Sequence, residues 1–138
     1  MITIRTQREW DELPELFDDF TVIEIRSEEW IRIRKTPENS RVEARDSSRV
    51  TATNYSRVEA RDFSHVVAMD SSRVVAMDSS HVKAMDSSHV EAWDYSVCDN
   101  RSRDTQIQAG GNATLYLKTE PSLVDCEDSV NIIRDKSH

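Results

Sequence analysis

The chain has 138 residues, which is room for one domain, and a formal net charge of −8, which weighs against direct binding to nucleic acid phosphates. Apolar residues make up only 37 % of it, as a thin core requires, and no run approaches the roughly 18 apolar residues of a membrane span. No nucleophile elbow, phosphate loop or Cys/His zinc spacing is present, so the usual signatures of hydrolase, nucleotide and zinc chemistry are missing.

Met1 to Trp10 holds no apolar leader, so neither secretion nor membrane insertion is signalled. Thr6-Gln7-Arg8-Glu9 fits a capping box, and Trp10, Leu13 and Phe17 follow at helical spacing, with Pro14 limiting the helix. Residues 1–20 are therefore predicted as an N-terminal cap with a short helix. Ile23 and Ile25 recur eight residues on as Ile31 and Ile33, so Thr21 to Thr36 reads as two degenerate octads, followed by the insertion Pro37-Glu38-Asn39.

From Ser40 to Tyr95 the octad Ser-(Arg/His)-Val-x-Ala-x-Asp-x runs seven times, and a fixed short period is the mark of a solenoid. The third place is always valine, from Val42 to Val90, and the fifth always alanine, from Ala44 to Ala92. Small residues at odd places and large or charged ones at even places give a strand whose odd face points inward. A helix would set Val and Ala, two apart, on different faces. One octad buries about 2 to 3 kcal/mol of apolar surface, too little to order its own backbone, so the coils must stack.

The corner is Asp-x-Ser, whose side chains bond to nearby backbone and suit moderate bends. No repeat contains glycine, so a two-faced coil of 16 residues, with its two near-reversals in the left-handed region, is disfavoured against a three-faced coil of about 24. Stacking points the same way: at 24 Glu59 lies beside Lys83, and at 16 Glu43 would face Glu59. After Tyr95 the register slips: Cys98 takes the valine place, and Ile107 with Ala109, Leu115 with Leu117, and Leu123 with Asp125 resume the spacing of eight. The expected fold is thus all-β, a single-stranded right-handed parallel β-helix over residues 21–128, closed by a C-terminal cap or tail over 129–138. There Val130, Ile132 and Ile133 cover the last coil and the final residues fray.

Candidate chemistry is sparse. Cys98 and Cys126 read as reduced, buried and inert. His65, His81 and His89 share a place that also takes arginine, so they read as solvent-facing polar residues, with His65 beside His89 in a 24-residue coil. The aspartate column resembles a calcium ladder, but it lacks the paired glycine corners of such solenoids and reads as turn capping. Glu43, Glu59 and Glu91 have no cleft around them to work as paired catalytic carboxylates. No cofactor, no metal and no enzymatic activity is expected. In the later octads, however, the even places turn apolar: Val67 and Met69, Val75 and Met77, Met85, then Trp93, with Tyr55, Phe63 and Tyr95 at corners. These side chains need a cover, either Trp10, Leu13 and Phe17 of the N-terminal segment, a second copy in a homodimer, or another protein.

The run Ser-Ser-His-Val-x-Ala-Met-Asp-Ser-Ser-His-Val-Glu-Ala-Trp-Asp from Ser79, with the leader Thr3 to Glu29, resembles octapeptide-repeat β-helix proteins of bacteriophages and prophages. The resemblance implies a β-solenoid in a bacterial or phage setting and carries no catalytic residues. Two function classes follow: a binding module acting on a host protein in the bacterial cytoplasm, such as an anti-defence inhibitor, or a spacer or adhesin of the virion or tail. A spacer gains from many repeats, and this chain spends much of its length on caps, which favours the binder.

Overall fold

The computed structural model describes residues 1–134. The chain opens with β1 (Ile2–Ile4), the one helix among the described residues, α1 (Gln7–Asp11), β2 (Leu16–Ile25), β3 (Trp30–Ile33) and β4 (Glu38–Ala44). The regular octads then give β5 (Arg49–Ala52), β6 (Arg57–Ala60), β7 (His65–Ala68), β8 (Arg73–Ala76), β9 (His81–Ala84) and β10 (His89–Ala92). The last strands are β11 (Val97–Asn100), β12 (Gln106–Ala109), β13 (Thr114–Leu117), β14 (Leu123–Cys126) and β15 (Asn131–Arg134).

These strands form two parallel sheets that the chain visits alternately from β2 onward, so the fold is a stacked-coil β-solenoid. Sheet A runs β1-β2-β4-β6-β8-β10-β12-β14 and sheet B β15-β13-β11-β9-β7-β5-β3. The alternation expected of the octad holds without exception in the regular block: every third-place valine and fifth-place alanine from Val42 to Ala92 is at most 2 % exposed. The first-place serines from Ser48 to Ser96 are buried as well. Ser80 donates to Met77 O three residues back at 2.7 Å, whereas the buried hydroxyls of Ser64, Ser72, Ser88 and Ser96 have no hydrogen-bond partner among the described residues.

The coil of 24 is corrected by the register. Val58 pairs with Val74 and Val74 with Val90, each sixteen residues on, so a coil has two faces. Glycine turned out to be unnecessary at the corners, because Asp46, Asn54, Asp62, Asp70, Asp78, Asp86 and Asp94 all sit at positive φ, between 54° and 58°. Asp and Asn are the side-chain-bearing residues that enter the left-handed region most readily. The cost is offset across coils: Asp46 N donates to Asp62 Oδ2 at 3.0 Å, Asp62 N to Asp78 Oδ2 at 3.0 Å and Asp78 N to Asp94 Oδ2 at 3.2 Å. The opposite corner repeats this through Asn54, Asp70 and Asp86.

Like charges do stack at 16, and arginine resolves the conflict. Glu43 is paired with Glu59, and Arg41 Nε lies 2.9 Å from Glu43 Oε2 and 3.1 Å from Glu59 Oε2. Arg45 Nη2 adds a contact of 2.8 Å to Glu43 Oε1. The three-residue insertion stretches the second coil, where Ile23 pairs with Val42.

The C-terminal register also differs from expectation. Ile107 pairs with Val124 and Ala109 with Cys126, so Val124 and Cys126 point inward while Leu123, expected inside, is 55 % exposed. The segment Lys118 to Ser122 absorbs one extra residue, as Arg101 to Thr105 does a coil earlier, and an odd insertion flips the face of everything after it. The expected tail begins as solenoid: β15 pairs with β13, with Ile132 half-buried and Ile133 exposed. Residues 135–138, including those expected to fray, lie outside the described residues.

At the other end Thr6 caps α1 as expected, while the Glu9 carboxylate reaches back to Arg5 N, one residue before the cap, rather than to Thr6 N. Glu9 N donates to Thr6 Oγ1 at 3.1 Å, and Arg5 N to Glu9 Oε1 at 3.3 Å. Helix α1 ends at Asp11, short of Leu13 and Phe17, and buries Trp10 against the first coil. Gln7 replaces the missing neighbour of edge strand β3: its Oε1 accepts from Arg32 N at 2.6 Å and its Nε2 donates to Arg32 O at 3.0 Å.

Candidate protein-docking face

Two-sided coils divide the apolar residues of the later octads between opposite faces. Ala76 of β8 pairs with Ala92 of β10, which places Met77 and Trp93, one step further on, next to each other on the outside of sheet A. Val75 stands in the same strand as Met77's approach, beside Glu91. Val67, Met69 and Met85 go to sheet B, where Ala68 pairs with Ala84 and Val67 with Lys83. The nine residues are therefore not one surface.

The corners divide likewise. Phe63 and Tyr95 follow sheet A strands on the corner of Asp62, Asp78 and Asp94, so they adjoin the Met77 and Trp93 side, while Tyr55 lies on the opposite corner. All three are well exposed, Tyr55 most of all at 82 %. Structure thus brings together Val75, Met77, Trp93, Phe63 and Tyr95.

Glycine makes room for this group. A Cβ on Gly110 would come within 2.3 Å of the Trp93 ring, and Gly111, at φ +64°, takes the corner place that aspartate holds in the regular coils. Sequence reasoning missed Leu123 because it put that residue inside. Leu123 lies in the same column of sheet A as Gln106 and His89, and with Val75 it bounds a shallow groove of about 260 Å³. The signal for it was the insertion before Ser122, which breaks the spacing of eight.

Helix α1 does not cover the group. It packs on β1 and β3 at the N-terminal end, several coils away from β8 and β10. The outer face of sheet A therefore varies along its length: Glu24, Glu43 and Glu59 interleaved with Arg26, Arg41, Arg45 and Arg61, then Val75, Met77 and Trp93, with Glu91, Gln108 and Asp125 continuing the column of Val75.

The remaining titratable candidates fall in different places. His65 stacks on His81 in sheet B, with ring centroids 5.0 Å apart, and His89 lies in sheet A, so the expected His65–His89 pair is replaced. Partial burial pushes His65 below its ordinary pKa, with His81 and Arg49 adding repulsion. Among the described residues no group of three His, Cys, Asp or Glu is arranged to hold a metal. Both cysteines are free. Cys98 is fully buried, its thiol pushed up to about 12 mainly by desolvation, whereas Cys126 is only half-buried. The arginines that share the histidines' repeat place split likewise: Arg57 and Arg73 pair on sheet A, and Arg49 sits on sheet B. No described helix is long and apolar enough to cross a membrane.

Compared with protein-family models, curated proteins and solved structures, the chain has no match.

Proposed function

We propose that the protein is a non-catalytic β-solenoid that docks on another protein through the later coils of sheet A, in the phage or prophage setting its repeats resemble. We infer a right-handed winding, the sense of nearly all parallel strand–crossover–strand connections. One observation carries the functional reading: Val75, Met77 and Trp93, each partly exposed, stand together on the outer face of sheet A, away from helix α1. Methionine and tryptophan supply adaptable and large contact area, and such clusters carry much of the energy in protein interfaces. The ionic lattice of the first coils lies beside it and supplies a polar border. A host protein in the bacterial cytoplasm is the proposed partner, with self-association the alternative occupant.

The test is affinity capture from bacterial lysate with light scattering on the isolated protein. A stoichiometric partner retained by Met69→Glu, on sheet B, and lost with Trp93→Glu supports the assignment. A homodimer lost with Trp93→Glu assigns the face to a second copy. A partner lost equally with both variants, or with neither, overturns it. Detection of the chain only in purified virions would favour the structural reading.

A further inference from the structure

The two ends of the solenoid are finished differently. At the N-terminal end Gln7 covers the edge of β3, and sheet A stops in β1, three residues long and followed at once by α1. At the C-terminal end sheet A stops in β14 and sheet B in β15, each with one neighbouring strand and a free edge among the described residues.

The core opens at the C-terminal end as well. Ile107, Ala109, Leu115 and Leu117 are at most 3 % exposed, whereas Val124, Cys126, Val130 and Ile132, the inward residues of the last coil, are only half-buried. Leu123 and Ile133 are exposed apolar side chains on the outward face of the same two edge strands. A free edge calls for backbone donors and acceptors at strand spacing, which another strand edge supplies.

We infer that a second copy of this chain covers this end, joined C-terminal end to C-terminal end by a two-fold axis parallel to the strands, with β14 of each copy antiparallel to β15 of the other. The last coil is self-complementary in that arrangement. Where Leu123 faces Ile133 of the second copy, Val124 falls on Ile132 and Cys126 on Val130, so half-buried inward residues cover one another and the exposed apolar pair is matched. Asp125 then meets Asn131, with no charge opposed to its like. A shift of two residues sets Asp125 on Ile133 or Leu123 on Asn131, and a shift of one sets inward residues against outward ones. The same register brings Asp128 of each copy together at the axis, the one like-charged pair between Leu123 and Ile133. Because the N-terminal end of each copy is capped, the pairing closes at two and does not propagate.

Sedimentation equilibrium of the 138-residue chain tests this. A monomer–dimer equilibrium is expected, weakened roughly tenfold by Asn131→Asp, which opposes carboxylates twice per dimer, and at least as much by Ile133→Lys. Asp128→Asn, which removes the repulsion at the axis, tightens it. All three variants alter exposed side chains, and circular dichroism of each checks that the solenoid stands. Trp93→Glu leaves the equilibrium unchanged, which separates this joint from self-association through the outer face of sheet A. A monomer up to about 1 mM, a dimer indifferent to Asn131→Asp and Ile133→Lys, or a dimer lost with Trp93→Glu overturns the joint. An Asp128→Asn dimer no tighter than wild type overturns the register, and oligomers that keep growing with concentration overturn the two-fold closure.

Discussion

The first and the later coils of sheet A have the same interior and opposite exteriors. Inside, Val42 and Ala44 are equivalent to Val74 and Ala76 and to Val90 and Ala92, all fully buried. Outside, Glu43 and Glu59 are clamped by Arg41, Arg45 and Arg61, whereas Val75, Met77 and Trp93 have no charged clamp. The contrast teaches that backbone geometry is set by the inward places and the corners alone. Outward places answer to neighbours in adjacent coils, and once that demand is met by an ion lattice or by apolar contact they are free to serve a surface.

Removing what the two regions share should have the largest effect. Asp78 holds φ at 57° and accepts from Asp62 N. Asp78→Ala loses both the tolerance and the bond and is expected to cost about 3 kcal/mol, Asp78→Gly about half of that, and Asp78→Asn under about 1 kcal/mol, measured by urea denaturation. Equal losses for Ala and Gly would show that the left-handed corner imposes no strain.

Attacking only the ionic region should cost less. Glu43 is 2 % exposed, and Glu43→Ala leaves Arg41 and Arg45 without their central carboxylate, although both reach solvent, so about 2 kcal/mol is expected in the same measurement. A neutral result would make the lattice a matter of register rather than stability. On the apolar side, Gly110→Ala drives a methyl into the Trp93 ring and should cost about 1 to 2 kcal/mol with a change in indole fluorescence. Unchanged fluorescence would place the ring elsewhere.

The smallest effect belongs to the opposite sheet. Because His65 has a lowered pKa in the fold, the folded state binds fewer protons there than the unfolded chain does, and stability falls as pH drops below about 6.5, the unfolded value. His65→Gln should flatten the fall in melting temperature between about pH 7 and pH 5 without altering it at pH 8. A steeper acid limb in the variant would reverse the sign assigned to the His65–His81 stack.

Much of the fold was legible in the repeat because its signal is local. Side chains alternate with period two along any strand, so Val58, Ala60, Val74 and Ala76 could be placed inside without knowing what they stack against. The helix cap at Thr6 was equally local. The candidate face was only partly legible: its residue types showed in the even places, but Met69 and Trp93, neighbours in a coil of 24, lie on opposite sheets. Leu123 was lost because an insertion of one residue exchanges inside and outside, and nothing in Lys118 to Ser122 says on which residue the strand restarts.

The sequence by itself determined that this chain is a stack of strands with a thin valine, alanine and serine interior. Tertiary structure decided that sixteen residues make a coil, and with that which outward side chains meet. The physical reason lies in the corner. A left-handed aspartate is unfavourable within one octad, and the bond that offsets it, from the backbone of one aspartate to the carboxylate sixteen residues on, exists only after the coils have stacked.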